Sequence, residues 1–63
     1  MLKLTNREKE VLIGLCEGKR NENLSKELGI TAATLKTHIA NACKRNKMRT
    51  IPLVLKFYKE NNN

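Results

Sequence analysis

Residues 30–45 read ITAATLKTHIANACKR, and this stretch decides the fold. On a helix of 3.6 residues per turn, Leu35, Ile39 and Ala42 stack on one side with Cys43 at its edge, so that side is core. The opposite side carries Ala33, Lys36, Thr37, Ala40, Asn41 and Lys44, all small, polar or cationic. From Thr31 to Arg49 the charged residues are Lys36, Lys44, Arg45, Lys47 and Arg49, with no carboxylate among them. Such a face suits a polyanion. The Thr31 hydroxyl is placed to cap the first amides of this helix, which also favour a phosphate at that end. The segment therefore reads as a nucleic-acid-facing helix, predicted over 32–46 and ending near Asn46 or Lys47, with Asn46 suited to a left-handed stop.

Upstream, Leu4-Thr5-Asn6-Arg7-Glu8 has the form of a capping box, with Thr5 and Glu8 each satisfying a backbone amide. Val11, Leu12, Leu15 and Cys16 follow as one buried stripe, and Gly18 is suited to the left-handed residue beyond the helix, which gives a first helix over about 6–17. Asn21 is the next expected cap. Leu24, Ser25 and Leu28 then recur at helical spacing up to Gly29, giving a two-turn second helix over 21–28. Its shortness, the glycine and the immediate restart at Thr31 are the requirements of a helix-turn-helix, in which small Ser25 fits the close crossing.

Downstream, Pro52 suits a first helical turn and opens a fourth helix over about 52–60. Ile51, Val54, Leu55 and Tyr58 form one apolar side, and Leu53 and Phe57 form a second stripe beside it. One stripe completes a small core. The other is either a contact surface for a second subunit, assigned to Leu53 and Phe57, or part of a fully buried helix. Residues 61–63 read as a frayed tail.

The 63 residues are expected to form one all-α domain, whether as a whole small protein or as one domain of a longer one. Thirteen Lys and Arg against six Glu give a net charge of +7, unevenly spread: residues 1–30 net +1 and residues 31–63 net +6. The asymmetry points to a polyanionic partner. Phe57 and Tyr58 are the only aromatic residues, so there is no stacking platform for single strands. Cys16 and Cys43 lie among apolar neighbours and read as reduced core thiols of a cytoplasmic protein. His38 alone cannot make a metal site, and no cofactor, catalytic set or membrane-spanning run is expected.

Taken together, LTNREKEVL, Gly18, Asn21, Leu24, Leu28 and GITAATLKTHIANA resemble the DNA-binding domain of the LuxR/FixJ/GerE class of bacterial regulators. The usual text of that family is close to LTxRExEVL, then G-x-S/T-N-x-E-I-A, then I-S-x-x-T-V-K-x-H-x-x-N-I. The likeness runs over about 50 residues without a gap, and the opening LTxRE with the later TxKxHxxN at the right distance is a specific signal. It implies a four-helix fold whose third helix enters the major groove and whose fourth makes a symmetric dimer. Carried over by position, it puts Lys36, Thr37 and Ala40 at base edges, and Thr31, Thr34, Asn41, Lys44, Lys47 and Arg49 at phosphates. The sequence departs from the family at Arg20, where Ser or Thr is usual, at Glu22 and Asn23, and at Asn46-Lys47, which replace Leu-Gly.

The expected function is sequence-specific binding of double-stranded DNA by a transcription regulator, as a homodimer on an inverted repeat. The alternative is a protein-interaction module that binds RNA polymerase or another regulator, for which the apolar fourth helix and Glu22 are suited.

Overall fold

A computed structural model describes residues 2–61 as four helices in one small bundle. They are α1 (Asn6–Cys16), α2 (Asn21–Leu28), α3 (Ala32–Asn46) and α4 (Thr50–Asn61). α1 packs against the other three, and α3 packs against α1, α2 and α4, while α2 and α4 do not meet.

Each helix starts and stops for a local reason. At α1 both halves of the capping box are made: the Glu8 amide donates to Thr5 Oγ1 at 3.1 Å, and the Thr5 amide donates to Glu8 Oε1 at 3.0 Å. α1 ends one residue earlier than its apolar pattern suggests. Gly18 takes φ +80°, and the Lys19 amide reaches back to the Gly14 carbonyl at 3.1 Å, a Schellman closure. The cap of α2 is Arg20 rather than Asn21. Arg20 is extended and supplies no side-chain hydrogen bond, so this two-turn helix depends on burying Leu24 and Ser25. Gly29 at φ +69° then turns the chain toward Thr31, which caps α3 by accepting from the Thr34 amide at 3.1 Å.

α3 ends at Asn46, where the sequence places its end, but the left-handed residue is the next one, Lys47, at φ +53°. The Asn46 amide is engaged elsewhere: it donates to the carbonyls of Ala42 at 2.8 Å and Lys3 at 2.9 Å, and accepts from the Lys3 amide at 2.7 Å. A side chain thus pins the segment before α1 onto α3. α4 begins two residues ahead of its expected start, with the Leu53 amide closing on the Arg49 carbonyl at 3.0 Å. Pro52 falls among the first amides of the helix, which have no internal partner to lose. Asn61, expected in a frayed tail, is the last residue of α4 and donates to the Phe57 carbonyl at 2.8 Å; residues 62 and 63 lie outside the described residues.

The core has two lobes that meet at Leu15. Val11, Leu24 and Leu35 form one between α1, α2 and the first half of α3. Leu12, Ala42, Leu53 and Phe57 form the other between α1, α4 and the second half of α3. α3 is therefore clamped along its length and turns its remaining side outward. The α1–α2 crossing is tight: a Cβ added at Gly14 would lie 2.3 Å from Leu24 Cδ1. The sequence reading had credited Ser25 with that closeness. Ser25 is indeed buried, with its hydroxyl donating to the Glu22 carbonyl at 2.9 Å, but Gly14 is the residue that the contact requires.

Candidate nucleic-acid interface

The outward side of α3 holds Ala33, Lys36, Thr37, Ala40, Asn41 and Lys44, all exposed, while Leu35 and Ala42 on the opposite side are buried. This is the division that the 3.6-residue period requires. Lys36, Thr37 and Ala40 lie together at the middle of this face, with Thr31 and Thr34 at its N-terminal end. Asn41 and Lys44 continue it toward Lys47 and Arg49, which are exposed in the turn between α3 and α4.

The hydroxyls on this face are already oriented. Thr37 Oγ1 donates to the Ala33 carbonyl at 3.0 Å, which commits its proton. Thr31 Oγ1 accepts from the Thr34 amide and donates to Thr34 Oγ1 at 2.9 Å, so the Thr34 hydroxyl keeps its own proton for an external acceptor.

Charge on the face differs from a count of the sequence in one respect. Arg45 folds back and pairs with Glu8, whose side chain is 3% exposed, so it does not face outward with the rest. Lys36, Lys44, Lys47 and Arg49 make no ion pair among the described residues. The glutamates of the first half are largely used internally. Glu10 pairs with Arg7 at 2.9 Å, while Glu17 and Glu27 both hold Lys19, at 3.1 and 3.0 Å, tying the end of α1 to α2 and raising the Lys19 pKa through those two hydrogen bonds. Nothing in the local sequence marks Arg45 for Glu8, 37 residues away.

Beside the outward face is a cleft of about 360 Å³ lined by Leu15, Asn21, Lys36, Ile39, Ala40 and Thr50. It lies where α1, the first turns of α2 and α4, and the middle of α3 converge.

α4 presents a different surface from the one expected. Leu53 and Phe57, assigned to a subunit contact, are 0% and 6% exposed and belong to the chain's own core. They are therefore not available to a second chain. The exposed apolar residues are Ile51, Leu55 and Tyr58, at 73%, 57% and 51%. The sequence groups these three with Val54 as one of two apolar stripes, but Val54 is half-buried against the core and only the other three are exposed. Which stripe turned inward was settled by how α4 seats on α1 and α3.

Comparison with known proteins agrees with this architecture. Residues 2–52 match the family model described as bacterial regulatory proteins, luxR family. The chain belongs to that family. Its helix-turn-helix is α2 and α3, against which α1 packs, with α4 packed on α1 and α3, in the four-helix fold that the sequence resemblance implies. A curated relative, the transcriptional regulatory protein LiaR of Bacillus subtilis (strain 168), is 53% identical to this luxR-family chain over 38 residues, 60% of the chain. The matched region is 18% of that relative's length, so the chain spans well under two thirds of it. No solved structure matches. Among the described residues no helix is long and apolar enough to cross a membrane.

Proposed function

We propose that this luxR-family domain binds double-stranded DNA sequence-specifically and acts in transcription regulation, with α3 lying in the major groove. The observation that carries the reading is the outward side of α3, a continuous exposed face without a carboxylate, held by burial on its opposite side. Lys36 is suited to guanine O6 and N7, the Thr37 methyl to a thymine methyl, and Ala40 to close approach. Thr31, Thr34, Asn41, Lys44, Lys47 and Arg49 surround these residues and are suited to phosphates, which fix register and supply most of the affinity.

The second part of the proposal is a homodimer on an inverted repeat, formed through the exposed side of α4 with Ile51, Leu55 and Tyr58 in place of Leu53 and Phe57. A chain of this size buries a small core, and apolar residues this exposed on one helix favour a covered state. With Lys44, Lys47 and Arg49 of two chains on phosphate, the logarithm of affinity is expected to fall with the logarithm of salt with a slope of roughly −5.

The deciding experiment is selection of bound duplexes from a random pool at two salt concentrations, with the mass of the complex measured. An enriched inverted repeat carrying two chains supports both parts. A single enriched half-site carrying one chain supports DNA reading and removes the dimer. No enrichment removes specific recognition and leaves α4 as a surface for RNA polymerase or another protein.

A further inference from the structure

We infer that the cleft beside α3 is a binding site for a compact apolar monocarboxylate, and that its occupant competes with DNA. The walls set the class of ligand. Leu15 of α1 and Ile39 of α3, both half-buried, and exposed Ala40 supply the apolar part of the lining. A volume of about 360 Å³ is at the small end of ligand sites, which are typically apolar with a few placed polar groups.

The polar residues of the lining are Lys36, Asn21 and Thr50, and no carboxylate is among them. Lys36 is the single charge. Lys36 is exposed and makes no ion pair among the described residues, so a neutral apolar guest would leave the one charge of the lining without a partner, while a phosphate dianion would lose more hydration than one lysine and two neutral side chains return. A single carboxylate on an apolar body matches both parts of the lining: the body covers Leu15 and Ile39, and the head reaches Lys36 with the Asn21 amide as a second donor.

Position gives the site a consequence. Lys36 and Ala40 line the cleft and also stand on the outward side of α3, so a guest held there occupies the groove-facing surface. The competition with DNA rests on the function proposed above. Filling of the cleft does not.

The test uses the full chain, labelled with nitrogen-15 and titrated with octanoate, with octan-1-ol as the uncharged control. Saturable shifts of the Leu15, Asn21, Ile39 and Ala40 amides are expected, with tighter binding of octanoate than of octanol. K36Q should weaken octanoate by about two- to five-fold, as for a solvent-exposed charge pair, and leave octanol unchanged. Shifts that gather instead on Ile51, Leu55 and Tyr58 would overturn the site, as would equal binding of acid and alcohol or an absence of saturation. In a second arm octanoate is added to the chain on its selected duplex, where release of DNA supports competition and an undisturbed complex with a filled cleft overturns it. The first arm contains no DNA, so failure of the cleft and failure of DNA reading are distinguished.

Discussion

The Glu8 carboxylate joins the first turn of α1 to the last turn of α3, because it accepts from the Thr5 amide and from the Arg45 guanidinium at once. Glu8 is 3% exposed, whereas the Arg45 side chain is 39% exposed. One residue thus serves as a local cap and as a long-range tie. Removing it takes away the cap bond and leaves Arg45 without its carboxylate partner. Glu8→Ala is expected to lower stability by about 2 kcal/mol in urea unfolding. Glu8→Gln keeps the cap, so it should cost less than Glu8→Ala, and equal costs would show that the tie to Arg45 carries the whole effect.

Lys36 is exposed and makes no ion pair among the described residues, so its removal should not disturb the fold. Lys36→Ala is expected to weaken binding to the selected duplex by about 1–3 kcal/mol while leaving the melting curve unchanged. Parental affinity in this variant would show that the centre of α3 does not read bases.

Two leucines two positions apart on α4 should behave oppositely. Leu53 is 0% exposed, and Leu53→Ala should cost about 2–5 kcal/mol in any oligomeric state. Leu55 is exposed, so Leu55→Lys should retain the helical circular dichroism and lower the mass seen by light scattering to that of one chain. An unchanged mass from a parent that dimerises would remove the α4 face from the interface.

Lys47 holds φ +53° where the family's text has glycine, a conformation that costs a side-chain-bearing residue about 1 kcal/mol. Lys47→Gly should therefore raise stability by about 0.5–1 kcal/mol. The same change removes a proposed phosphate contact and should reduce the salt slope by about 1 per chain. Stability and DNA affinity would move in opposite directions, and a parallel loss of both would refute the assignment of strain to this residue.

Burial, and after it the Glu17 charge, push the Cys16 thiol above its ordinary value near 9. Its Sγ lies 4.0 Å from the Val54 carbonyl of α4. In a Cys43→Ser background, alkylation of Cys16 by iodoacetamide at pH 8 should be slower in the folded chain than in urea, since less thiolate is present. A raised thiol pKa means that the folded state holds its proton longer than the unfolded state. The associated stability is present below the ordinary value and declines as pH rises above it. Equal rates in folded and unfolded chains would show that the burial has no chemical effect.

Sequence alone determined the four helices, because their signals are local. The Thr5–Glu8 box, the Thr31 cap, the turns at Gly18 and Gly29 and the 3.6-residue stripe of α3 each act within a few residues, and the structure places each where the pattern put it. The outward side of α3 was legible for the same reason, since a helix that buries Leu35 and Ala42 must expose Lys36, Thr37 and Ala40. Tertiary structure decided the rest. α4 offers two apolar stripes of comparable strength, and only its seating on α1 and α3 buried Leu53 and Phe57 and left Ile51, Leu55 and Tyr58 outside. Arg45 is one of five cations in an acid-free run until folding brings Glu8 to it, and Asn46 reads as a left-handed stop until Lys3 engages its side chain. Nothing near Gly14 in the sequence marks it for the α1–α2 crossing, which Leu24 closes from another helix. In each case the partner lies on another helix or a distant segment, and a pairing set by packing across the bundle leaves no periodic trace in the chain.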